Sequence, residues 1–159
     1  MKAKIIVFTL LAVLIGLVSN ISIVDGPYTL PSELLGIDSK VNAVRAEEGL
    51  KPLKLDGRLS RSATVKAKHM ETNNYWSHDA PDGTTPWSFI KSEGVRYSKA
   101  GENLAKCHNT IDQAVKAWVN SQAHYKNIVG EYSHFGFGHS TNADGCIIIV
   151  NHFANERLL

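Results

Sequence analysis

The chain has 159 residues, with 17 basic against 15 acidic side chains and two cysteines. That length suits one ordinary domain with one core. A balance so near neutral offers no basic patch or stripe of the kind nucleic acid requires. From Ile5 to Val18 every residue is apolar, Gly or Thr, Lys2 and Lys4 precede the run, and a softer stretch continues to Val24. A basic start followed by an apolar run describes a secretory signal. With the tail to Val24 the apolar segment from residue 5 reaches the roughly 20 residues that cross a bilayer, so an uncleaved N-terminal anchor is the alternative. No Ala-x-Ala site precedes Asp25, so Ser19 or Ser22 would have to serve for cleavage, and no cysteine follows the run to carry a lipid. Without residues 1–24, fifteen basic residues face fifteen acidic ones.

Residues 25–32 ("DGPYTLPS") read as a turn-rich linker. Ser32 is then a candidate cap for a helix whose Leu34, Ile37, Val41 and Val44 form one apolar stripe, closed by Gly49 and Pro52. A second helix opens near Asp56, carries Leu59, Ala63, Ala67 and Met70 inward, and ends in "TNN". "HDAPDGTTPW" is a loop, because Pro81-Asp82-Gly83 is strong turn chemistry. "TPWSFIKSEG" predicts a short helix with Thr85 as cap, Pro86 at its first position and Gly94 after it. "YSKAGENLA" predicts the first strand. "NTIDQAVKAWVNSQ" predicts a helix capped by Asn109 or Thr110, with Ile111, Val115 and Trp118 or Val119 inward.

The tail predicts two strands. "HFGFGHS" alternates, which puts Phe135, Phe137 and His139 on one face. "CIIIVNHFA" is continuously apolar, as in a strand covered on both sides. Asn142-Ala143-Asp144-Gly145 between them is hairpin chemistry. Helices first and antiparallel strands late, with helices enough for both faces, predict an α+β fold with a small, mostly antiparallel sheet sandwiched between helices. Cys107 follows the "GENLA" strand and Cys146 opens the last one, so neighbouring strands would bring them together. In an exported protein the pair is expected as a disulfide, the alternative being two buried thiols.

The usual hydrolase signatures are missing. His69 begins "HMETN", which lacks the second histidine of the zinc-protease helix, and the chain has no Gly-x-Ser-x-Gly, phosphate-cradling glycine loop or Cys-x-x-Cys. What remains is His78, Glu102 and His124, one on each of three separate elements. Singly, each has an ordinary reading: a turn cap, a salt bridge, a solvated helix residue.

Together the segments resemble a family. "YWSHDAPDG", "AGENLA" and "AVKAWVNSQAHYKNIV" followed by "HFGFGHS" are similar to the successive motifs of the CAP superfamily, named for cysteine-rich secretory proteins, antigen and pathogenesis-related proteins. The nearest likeness is to its compact prokaryotic, SCP-like extracellular branch. "VNAVRAEEGLKPLKLDGRLSRSA" resembles that branch's opening, and the resemblance gives a CAP domain over residues 33–155. It implies a three-layer α-β-α sandwich whose cleft is lined by two histidines and two glutamates. His78 matches the first histidine, Glu102 the glutamate of the "GEN" motif and His124 the second histidine. The second glutamate falls near Ser121, on the helix that carries Trp118, so three of the four remain. Trp76, Trp87, Trp118 and Tyr75 are expected as core or cleft wall.

Two imidazoles and a carboxylate suit zinc or another divalent metal. The resemblance implies a site in which His78 and His124 hold the ion. Glu102 is then a ligand, a base beside a metal-bound water, or a group that orients a histidine from behind. Three functions are therefore expected in order. The first is a secreted or surface-tethered module whose cleft, with His78, Glu102, His124 and Ser121 as its binding residues, takes an extracellular ligand such as a lipid, peptide or cell-envelope component. The second is a metal-assisted hydrolase acting on a peptide or envelope substrate. The third is a structural domain with no cleft function. A membrane enters only through residues 5–24 if they stay uncleaved.

Overall fold

Nine elements follow one another within residues 36–156, the part of the chain that this computed structural model describes. The expected signal or anchor over 1–24, the linker over 25–32, and Ser32 and Leu34 lie outside it. Helix α1 (Ile37–Glu47) begins after Gly36, whose backbone is left-handed at φ 86°, and buries Ile37 and Val41. Helix α2 (Gly57–Thr72) is capped by Asp56, whose carboxylate accepts from the backbone N–H groups of Arg58 and Leu59. That cap satisfies two of the donors a helix leaves unpaired at its start. Helix α3 (Pro86–Ser92) has Pro86 in its first turn, as expected, although the Thr85 side chain makes no capping bond.

Two expectations change. A two-residue strand β1 (Lys54–Leu55) precedes the "GENLA" strand, which is therefore β2 (Tyr97–Lys106). The single helix expected over "NTIDQAVKAWVNSQ" ends as α4 (Ile111–Val119), and a separate α5 (Gln122–Ile128) starts after Ser121. Thr110 is the cap of α4, accepting from Gln113 N–H. The break falls where Asn120 and Ser121, which compete for backbone hydrogen bonds, interrupt the apolar stripe. Trp118 is buried while Val119 turns outward.

Strands β3 (His134–Thr141) and β4 (Ile147–Glu156) complete a sheet of order β1-β3-β4-β2, antiparallel except for the β1–β3 pair. Successive side chains of β4 serve opposite faces. Ile149 and Phe153 join Phe135 and Phe137 of β3, packing under Val41 of α1, Ile111 and Trp118 of α4 and Ile128 of α5. Ile148 and Val150 join Leu104 beneath Ala63, Ala67 and Met70 of α2, while Ala154 meets Leu59 and Ile90. The alternate positions of β3 on that face are Gly136 and Gly138, and α2 lies directly on them. A Cβ at Gly136 would stand 2.2 Å from Ser60 N, and one at Gly138 2.0 Å from Thr64 N. The result is an α+β sandwich: α2 and α3 on one face, α1, α4 and α5 on the other. Cys107 and Cys146 form a disulfide across the β2 and β4 ends, with Cα atoms 4.6 Å apart. No described helix is long and apolar enough to cross a membrane.

Candidate functional site

The site starts from a lysine on the wrong face of its helix. Lys66 lies on the inward stripe of α2 and is fully buried. Its ammonium donates to the Tyr75 hydroxyl (3.1 Å), to the Ser77 carbonyl (3.0 Å) and to the His78 carbonyl. Three donors thus meet three acceptors, which makes a buried cation tolerable. Burial still pulls the Lys66 pKa down, with Glu102, Asp79 and Asp82 pulling the other way. The consequence is local: the loop after α2 is pinned at residues 75, 77 and 78, and His78 is presented from it.

His78 keeps its side chain 56% exposed and bonds through Nδ1 to Glu102 Oε1 at 2.6 Å. Glu102 sits in the middle of β2, opposite His152 of β4. Its other oxygen, Oε2, is 3.0 Å from His152 Nε2, and His152 Nδ1 is 2.7 Å from Ser62 Oγ on α2. Burial raises the Glu102 pKa, but the hydrogen bonds from His152 and His78 and the nearby Lys66 ammonium outweigh it, so the carboxyl stays below its usual range. The hydrogen bond to Glu102 holds His78 above the usual histidine range, against its own partial burial. Ser62, His152 and Glu102 repeat the order of a hydrolase nucleophile, base and acid. Ser62 is fully buried, however, so no substrate can reach its hydroxyl.

The rest of "GEN" holds the edge of the sheet. A Cβ at Gly101 would lie 2.6 Å from the Tyr132 hydroxyl and 3.0 Å from Asn127 Oδ1, so glycine is what lets those side chains close on β2. Along that edge the carbonyls of Ala100, Glu102 and Leu104 accept from Tyr132 Oη (3.4 Å), Asn127 Nδ2 (3.0 Å) and Trp118 Nε1 (2.9 Å). Side chains thereby occupy the acceptors that an added strand would use. Asn103 bonds not to local backbone but across to α5: its Nδ2 donates to the His124 carbonyl (3.0 Å), and its Oδ1 accepts from Asn127 Nδ2 (2.8 Å). Asn103 therefore places α5, and with it His124, against β2.

A cavity of about 460 Å³ opens beside this edge, lined by His78, Asp79, Pro86, Trp87, Ala100, Gly101, Glu102 and Asn127. Sequence reasoning brought His78 and Glu102 to one place, and they are there. His124 and Ser121 are not among the residues lining this cavity. Ser121 precedes α5 and makes no capping bond through its side chain. His124 is half-buried; burial, and then the charge of His78, push its pKa down. Trp118 is core and Trp87 is cleft wall. Trp76 is exposed, with the Lys106 ammonium 4.9 Å from its ring centre.

Sequence reasoning missed Lys66, Ser62, His152 and Asn127. Two signals were available. Lys66 stands three residues after Ala63 and four before Met70, at a core position of the stripe. Asn151-His152 interrupts an otherwise apolar strand.

Among the described residues no group of three or more His, Cys, Asp or Glu side chains is gathered to hold a metal ion. Both Glu102 oxygens are committed to histidines, so the carboxylate stands behind His78 rather than beside it as a ligand. The nitrogen donors left are His78 Nε2 and the His124 imidazole. Imidazole nitrogens, one of them backed by a carboxylate, are donors of the kind zinc and other divalent ions take.

Residues 39–153 match the family described as CAP, the cysteine-rich secretory protein family. The chain belongs to the CAP family. Among its relatives is the Bacillus subtilis protein YkwD, described as uncharacterized, which is 42% identical over 114 residues, or 69% of this chain and 44% of YkwD. The B. subtilis membrane protein YlbC, also described as uncharacterized, is 32% identical over 61% of this chain and 28% of its own length. The match thus spans less than half of either relative. A crystal structure of an extracellular Bacillus anthracis protein containing an SCP domain is 30% identical and superposes with a TM-score of 0.67, covering 74% of this chain and 38% of that one. An outer surface protein of Borrelia burgdorferi shares the fold at 24% identity with a TM-score of 0.70, covering 76% of this chain and 90% of that one.

Proposed function

We propose that this CAP domain works on the outer side of the cell membrane, secreted or tethered by residues 5–24, and binds a lipid, peptide or cell-envelope component in the cleft beside β2. His78 from the cleft wall and His124 from α5, outside the cavity lining, hold a divalent ion between them, zinc in the first instance. The observation that carries the reading is His78 itself: a half-exposed imidazole whose Nδ1 is fixed on a buried carboxylate while Nε2 is left to an open cavity. A carboxylate behind a histidine fixes the ring and raises its basicity as a ligand. The extracellular description of the B. anthracis relative and the apolar run at 5–18 support the location.

A hydrolase draws less support. Its base would be Glu102, whose two oxygens are already occupied, and the serine of the buried triad is sealed. A domain without cleft function leaves the open Nε2 of His78 unexplained. Calorimetric titration of zinc into the full-length chain at about pH 7.5, above the ordinary histidine pKa, tests the proposal. Binding at one site, abolished in His78→Ala and in His124→Ala while both variants stay folded, is the expected result. Identical binding by the double variant would remove the metal from the proposal.

A further inference from the structure

Glu102 is a carboxylate that accepts and cannot donate while ionised. With His78 Nδ1 on one oxygen and His152 Nε2 on the other, both rings must present N–H to it. For His78 this puts the proton on Nδ1 and leaves the Nε2 lone pair facing the cavity. For His152 it puts the proton on Nε2, while Nδ1 lies 2.7 Å from Ser62 Oγ, whose single hydroxyl proton also has the Leu59 carbonyl within reach at 2.9 Å. The chain Ser62–His152–Glu102–His78 runs from fully buried side chains to a half-exposed one, with both imidazoles donating to the carboxylate between them. Its inner part has little freedom. Glu102 and His152 are direct cross-strand partners, and His152 also stands opposite Gly136, on which α2 rests with Ser62 two residues beyond Ser60.

We infer that His152, anchored by Ser62, is a positioning residue for the cleft: it holds Glu102 in the orientation that fixes His78 in its Nδ1–H tautomer and so offers the Nε2 lone pair to whatever the cleft binds. Without the His152 N–H, Oε2 would be a buried acceptor with no partner, and the carboxyl would gain by turning or taking up a proton. Either change removes the acceptor that selects the His78 tautomer. Nothing in the "GEN" pattern encodes this support, because the residues supplying it lie 40 positions before and 50 after Glu102. The inference rests on the reading of His78 as the cleft's donor only for its purpose, and its main test needs no metal.

That test is ¹⁵N NMR of the full-length chain labelled at histidine, at about pH 9, well above the ordinary histidine pKa of about 6.5. His78 is identified by loss of its signals in His78→Gln and His152 by loss of its signals in His152→Gln. The wild type should show His78 protonated on Nδ1 and His152 on Nε2. The opposite tautomer at either ring overturns the inference without any need for a destabilised variant. His152→Leu should convert His78 largely to the Nε2–H form, and His152→Gln, whose amide can donate from the same place, should restore Nδ1–H. An unchanged His78 tautomer in a folded Leu variant, or a Gln variant that behaves like Leu, overturns it too. In a parallel zinc titration, Leu should weaken binding by about 10–100-fold and Gln by much less. Tautomers as expected with no zinc binding in the wild type would leave this inference standing and sink the metal reading alone.

Discussion

Glu102 and His78 titrate in opposite senses, and the signs separate them. The folded-state pKa of Glu102 is lowered, so its contribution to stability is present above the unfolded value of about 4.3 and is lost as pH falls through the folded value. That of His78 is raised, so its contribution is complete below about 6.5 and is lost as pH rises through the folded value. We expect thermal melts of the wild type to lose stability below about pH 4 more steeply than melts of Glu102→Gln. Equal acid limbs would show that the carboxylate is no better stabilised folded than unfolded. At this scale the sequence exposed only the outward half of the site. His78 and Glu102 were legible because they sit in turn and strand segments whose polar residues interrupt a pattern. Lys66 and His152 were not, because a polar residue at a core position looks like an error in the stripe until its partners are known. Those partners come from elements distant in sequence.

At the scale of elements, the alternation along β3 was readable, and Phe135 and Phe137 share a face as it assigned them, while β4 was readable as a strand covered on both sides. The short β1 was not, since two residues give no periodicity. The division of α4 from α5 was visible only as two helix-disfavouring residues, Asn120 and Ser121, and it matters because it sets the direction of α5 and so of His124. The tightest constraint is the seat of α2 on Gly136 and Gly138, where the neighbouring atoms are backbone and cannot swing aside. Gly138→Ala should therefore destabilise at or beyond the upper end of the roughly 1–3 kcal/mol usual for overpacking, measured by urea unfolding. A loss below about 0.5 kcal/mol would mean that α2 can lift off the sheet, and with it Ser62 and Lys66. Removing the Asp56 cap by Asp56→Ala should cost about 1 kcal/mol in the same assay.

For the whole molecule, the disulfide closes a segment of sequence separation 39 that contains α4, α5 and β3, hence His124 and the edge-capping side chains. Chain entropy assigns such a loop about 4 kcal/mol. Cys107→Ser with Cys146→Ser should lower unfolding stability by about 2–4 kcal/mol while leaving the fold intact, because β2 and β4 remain paired along their length. The proposed site requires the two sides of β2 to meet at one ion: His78 from the loop pinned by Lys66, and His124 from the helix held by Asn103. Anomalous diffraction at the zinc edge, from crystals of the protein grown with zinc, measures this directly. We predict a single peak about 2.0–2.1 Å from His78 Nε2 and from a ring nitrogen of His124, with Glu102 still on His78 Nδ1. A peak on only one of the two histidines, or none between them, would contradict the account.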